Sequence, residues 1–97
     1  MTTTTAALAA SMPESRTILD DADELIHGDR AEQYGDAQQS FENIADIWSV
    51  IIGAPVTTKQ VALMLAGLKL ARLAHDTGHR DSWVDLIGYA ALGSGVK

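Results

Sequence analysis

The chain contains no cysteine. That excludes disulfide staples, zinc–thiolate centres and thiol nucleophiles. Aromatic residues are scarce, with two Trp, two Tyr and one Phe in 97 residues. Packing must therefore rest on aliphatic side chains and alanine. Positive charge is also in short supply: seven Lys and Arg stand against thirteen Asp and Glu, for a net charge of −6. Such a balance disfavours a nucleic-acid backbone or an anionic membrane surface as partner, since both need a basic patch. No apolar run is long enough to span a bilayer; the longest, residues 61–68, is far too short. The first ten residues lack the basic region and apolar core of a signal peptide. P-loop, nucleophile-elbow and dinucleotide-binding motifs are missing, as is any strand-rich segment to carry them.

What remains is a chain with 46% apolar residues, enough for one folded domain. Helical periodicity predicts an all-α, four-helix bundle-like domain over residues 11–93, with a flexible tail at 1–10 and a frayed end at 94–97. Ser11 and Glu14 fit a capping box with Pro13 in the first turn. Ile18, Leu19, Ala22, Leu25 and Ile26 then form one stripe, while Asp20, Asp21, Asp23 and Glu24 read as a solvated face. The second helix opens at Asp36, with Gln39 as its box partner, and buries Phe41, Ile44, Ala45, Trp48, Ile51 and Ile52. Gly53 and Pro55 end it. Thr57 and Gln60 make a third box, and the third helix runs to about Asp76.

That third helix is apolar nearly all round. A chain of this size can hardly enclose it, so the expectation is an oligomer through the third helix, most simply a two-fold dimer. The turn at Thr77-Gly78 folds the fourth helix back, with Asp81 or Ser82 as its N-cap and an end near Leu92. Gly88 inside that helix costs about 1 kcal/mol relative to alanine; a close neighbour or a ligand would explain it, and so would simple tolerance. His75 and His79 flank the turn, and the break between them removes the spacing that zinc on a continuous helix needs.

The candidate functional residues gather in residues 68–90. Lys69 and Arg72 close the third helix and Asp81 and Asp85 open the fourth, so the hairpin sets two cations opposite two carboxylates. Two readings follow. As a structural network, the four residues fix register and neutralise charge leaving water. As a site, Asp81 and Asp85 hold Mg²⁺, with Glu42 and Asp46, one turn apart on the second helix, completing the carboxylate set. Lys69, Arg72 and the loop residue Arg30 then contact a phosphorylated small molecule, and Tyr34 stacks on its base.

The blocks Arg30…Tyr34-Gly35, Phe41…Ile44-Ala45…Trp48, Thr57…Val61-Ala62…Lys69-Leu-Ala-Arg72 and Asp81-Ser-Trp-Val-Asp85-Leu-Ile-Gly-Tyr89-Ala90 occur in order. Over about residues 16–92 they resemble a phage-encoded family of small helical proteins without established function. That family is in turn similar to the MazG-like all-α nucleotide pyrophosphohydrolases, which are Mg²⁺-dependent helical oligomers. The resemblance implies a phage protein in the host cytoplasm with a nucleotide pocket. The hallmark E-x-x-E of those enzymes reads Lys69-x-x-Arg72 here, and the later E-x-x-D reads Asp81-x-x-x-Asp85. The resemblance thus implies binding of a nucleotide or nucleotide-derived molecule, with hydrolysis in doubt. The alternative is a non-enzymatic helical interaction module in which the charged cluster is structural.

Overall fold

The computed structural model describes residues 5, 6, 8, 12, 14–28 and 36–97. Most of the 1–10 tail, the Ser11 cap with Pro13, and the candidate ligand residues Arg30 and Tyr34 lie outside the described residues. Among the described residues the secondary structure is helical, with no strand. The helices are α1 (Glu14–His27), α2 (Ala37–Ile52), α3 (Thr58–His75) and α4 (Arg80–Gly95). None of them is long and apolar enough to cross a membrane.

Local chemistry sets most helix ends. Thr57 and Gln60 form the expected reciprocal box: Gln60 N–H donates to Thr57 Oγ1 at 3.1 Å, and Thr57 N–H donates to Gln60 Oε1 at 2.9 Å. Two orphan donors of the first turn are satisfied at once. Asp36 caps α2 by accepting from Gln38 N–H at 3.0 Å. The predicted box with Gln39 does not form, because the Gln39 amide donates instead to Asn43 Oδ1. Gly53 ends α2 with φ of 78°, the left-handed conformation that glycine adopts without a Cβ clash.

The N-cap of α4 is His79, not Asp81 or Ser82. Its Nδ1 accepts from Ser82 N–H at 3.2 Å and lies 2.7 Å from Ser82 Oγ, so the helix starts at Arg80. Ser82, offered as a cap, is instead fully buried inside the helix.

The short 76–79 connection folds α3 and α4 into an antiparallel hairpin, the most extensive packing in the chain. α1 lies against α4, and α2 against α3. A Cβ at Gly88 would sit 3.4 Å from Ile26 Cγ2 on α1, an ordinary contact that an alanine would also make. Gly93 differs. A Cβ at Gly93 would lie 2.7 Å from Ala62 Cβ on α3.

The main core joins Phe41, Ala45, Val61, Ala62 and Val96, with Ile44, Trp48, Leu65, Tyr89 and Leu92 packed around it. Residues near the end of the chain take part in this core. Val96 is buried, and α4 runs to Gly95 rather than Leu92. Lys97 N–H donates to Gln38 Oε1, while its carbonyl accepts from the Gln38 amide and from Thr58 Oγ1 at 2.7 Å. Three hydrogen bonds to α2 and α3 thus hold the last residue.

Two stripes differ from expectation. Ile51 and Ile52 on α2 and Leu19 on α1 are exposed. On α4, Ser82, Val84 and Gly88 are buried, whereas Trp83 is largely exposed and its indole N–H donates to Thr77 O.

The contact at Gly93 gives a direct test. Gly93→Ala should lower stability by about 1–3 kcal/mol, because overpacking against Ala62 outweighs the gain in helix propensity. Urea denaturation measures it, and adding Ala62→Gly should recover much of the loss. A stabilised Gly93→Ala variant would contradict the packing described.

Candidate functional site

Asp85 is the centre of the charged region. It lies in the second turn of α4, on the side facing α3, and its Oδ2 is 2.9 Å from Lys69 Nζ. The two side chains are only 30% and 18% exposed, so the pair is partly withdrawn from water. Removing one partner would leave the other partly desolvated and uncompensated.

The other three members of the predicted four-residue cluster stand differently. Arg72 is exposed, and among the described residues its side chain makes no ion pair or hydrogen bond. Asp81 is exposed on the first turn of α4. It pairs with neither Lys69 nor Arg72, because it lines a cleft on the α1 side. The expected two-against-two arrangement is therefore a single Lys69–Asp85 pair.

That cleft, about 340 Å³, is lined by Asp21, Glu24 and Leu25 of α1 and by Arg80, Asp81, Val84 and Asp85 of α4. Arg80 Nη1 reaches Asp21 Oδ2 at 2.6 Å, joining the two helices. Asp21 and Arg80 were not among the sequence candidates. The acidic run of α1 reads as solvent-facing, and nothing local to it reveals that α4 passes alongside. Gly88 in mid-helix is no signal of it either, since an alanine would also fit there.

Four carboxylates and one already-paired guanidinium line this cleft. Its field attracts cations and repels phosphate.

A second hollow, about 470 Å³, lies between α1, α2 and the hairpin. Ile26, Phe41, Ile44, Leu65 and Leu92 make it mostly apolar, and Ser40, Asp85 and Tyr89 add polar groups. Asp85 and Leu25 border both hollows. Glu42 and Asp46 line neither. Both are exposed, and Glu42 accepts from the Gln38 amide at 3.0 Å. The helices thus do not gather Glu42, Asp46, Asp81 and Asp85 into one carboxylate set. Among the described residues no three His, Asp or Glu side chains stand close enough to hold a metal ion.

Comparison with known proteins places the chain among phage proteins without an assigned function. It is 42% identical over 77 residues to the Gene 55 protein of Mycobacterium phage L5, covering 78% of this chain and 49% of that protein. Against the Gene 55 protein of Mycobacterium phage D29 it is 37% identical over 76 residues, covering 78% and 50%. The chain therefore spans about half the length of the curated relatives it matches. No solved structure matches it. The model of the domain of unknown function DUF6378 matches residues 17–97, which take in all of α2, α3 and α4 and most of α1. The chain belongs to the DUF6378 family.

Proposed function

We propose that this chain is a non-catalytic helical interaction module of a bacteriophage protein, in which the charged cluster locks the helices together. One observation carries this reading. The two cations directed into the cluster are already held by carboxylates of neighbouring helices, Lys69 by Asp85 and Arg80 by Asp21. A phosphate at either cation would compete with a carboxylate already in place. The surplus charge around them is negative, which suits a lock with a solvated acidic rim better than an anion pocket. The bacteriophage setting rests on the similarity to the two Gene 55 proteins.

A second reading keeps a MazG-like scaffold that binds a phosphorylated small molecule, with or without Mg²⁺. Its support is Arg72, an exposed cation at the end of α3, and the apolar hollow with Ser40 and Tyr89, whose volume would admit a base. Binding there would require the ligand to reach Arg72 past the Lys69–Asp85 pair.

A thermal-shift screen with nucleotides and cyclic nucleotides, with and without Mg²⁺, separates the two. A ligand present at a hundred times its Kd adds about 2.7 kcal/mol to stability, and each kcal/mol moves the midpoint of a chain this size by roughly 4–8 °C. The interaction module predicts no such shift; a clear midpoint rise with any nucleotide would favour the second reading.

The lock itself predicts coupled stabilities. Lys69→Ala and Asp85→Ala should each destabilise the fold, and the double variant should lose about 1 kcal/mol less than the sum of the two. Arg72→Ala should stay within about 0.5 kcal/mol of the parent. Denaturant titration of the four proteins measures this, and strict additivity at Lys69 and Asp85 would remove the locking role.

A further inference from the structure

Among the described residues, the outward face of α3 has no helix packed on it. Leu63, Met64, Leu68 and Leu70 are 70%, 44%, 62% and 54% exposed, and Gly67, Ala71 and Ala74 are exposed between and beside them. Residues 60, 63, 64, 67, 68, 70, 71 and 74 carry no charge. The α3 cations lie elsewhere: Lys69 faces α4, Lys59 reaches the carbonyl of Gly93, and Arg72 falls to one side. A contiguous apolar face of this kind marks an interaction surface.

Gly67 indicates how the surface is used. It lies at the middle of α3 (Thr58–His75) and at the centre of the apolar face. Glycine weakens a helix interior relative to alanine. At Gly93 the fold itself explains the glycine, because a Cβ would lie 2.7 Å from Ala62 Cβ on α3. At Gly67 a Cβ would meet nothing within 4 Å. Within the single chain the residue brings a cost and no packing advantage. Close approach of another backbone at the face would supply that advantage.

We infer that the occupant is a second copy of this chain, with two α3 helices crossing antiparallel about a two-fold axis at Gly67. The inference rests on the interaction-module reading and names its partner. Three features favour a second copy. A glycine at the midpoint of its own helix is where a two-fold axis superposes a residue on itself, making the patch self-complementary. The face exposes on the order of 500 Å² of apolar surface, so a pair would bury about 1,000 Å², the threshold for a specific interface. Antiparallel crossing also opposes the two helix dipoles. With Gly67 at the crossing point, Leu63 and Met64 of one copy pack against Leu70 and Ala71 of the other.

Light scattering coupled to size exclusion tests this at about 100 μM chain, a concentration at which a micromolar interface is occupied. The parent chain should run at twice its 10.3 kDa mass. Gly67→Glu should run at the single-chain mass with unchanged far-UV circular dichroism, since the position is open in the monomer. Leu63→Glu provides an independent variant on the same face. Gly67→Ala should weaken pairing at least tenfold. A parent protein at single-chain mass overturns the inference, and so does a Gly67→Glu or Leu63→Glu protein that still pairs. Monomeric protein without a nucleotide response overturns self-pairing and leaves the interaction module standing. A dimer that nucleotides stabilise overturns the module and leaves self-pairing.

Discussion

The close approach of α4 to two neighbours is the constraint on which the rest depends. Helix α4 accepts α3 along one side and α1 along another. Gly93 lets Ala62 come within a distance no Cβ pair tolerates, while at Gly88 Ile26 stands at ordinary contact distance from where a Cβ would be. Burial of Ser82 and Val84 on the same helix follows from that geometry. So do the ion pairs. Lys69 meets Asp85 because the hairpin is tight, and Arg80 meets Asp21 because α1 lies close. The electrostatics are a consequence of the packing, and they then oppose sliding of one helix along another.

This ordering decides how the charged residues are understood. Two interhelical bridges share α4 as their common member, one reaching α3 and the other α1. A bridge of this kind need add little net stability, since desolvation offsets much of its Coulomb gain. Its value is positional, because a register shift in either interface would separate a partly desolvated pair. The carboxylates left over, Glu24 and Asp81, rim an acidic cleft open to water. Solvation keeps their charge cheap there, and no compensating cation is required.

The fold was largely legible in the sequence wherever its causes are local. The Thr57–Gln60 box, the Gly53 stop and the break at Thr77-Gly78 are each written within a few residues, and the structure places all three as read. Local chemistry misled where a competing acceptor lay nearby. Ser82 looks like a cap, but His79 accepts from the Ser82 N–H itself and starts the helix at Arg80. The candidate site was legible in part. Lys69 and Asp85 come together because a short antiparallel hairpin forces residues equidistant from its turn to meet. Arg72 and Asp81 do not join them: both lie nearer the turn, where their side chains stand exposed, and Asp81 lines the cleft on the α1 side. Asp21 and Arg80 were out of reach, since their meeting depends on where α1 docks, a long-range fact that no spacing encodes. The C-terminal residues show the same limit. Nothing in Gly-Ser-Gly-Val-Lys announces that Val96 enters the core or that Lys97 is held by Gln38 and Thr58.

The balance between buried and exposed apolar groups connects the fold to its assembly. The buried hydrophobic residues are Ala22, Phe41, Ala45, Val61, Ala62, Leu73, Val84 and Val96, three of them alanines and one aromatic. Meanwhile four large aliphatic residues of α3 remain outside. A small domain has little stability to spare, and hydrophobic burial is its main source. Placing Leu63, Met64, Leu68 and Leu70 against a second copy would therefore stabilise the helix that also carries Val61, Ala62 and Leu73 on its inner side. Gly67 sharpens the point: it weakens α3 in isolation, and under the proposed pairing a second backbone would close over the gap. Stability would then depend on chain concentration, and the inner core, the hairpin and the ion pairs built on it would inherit that dependence.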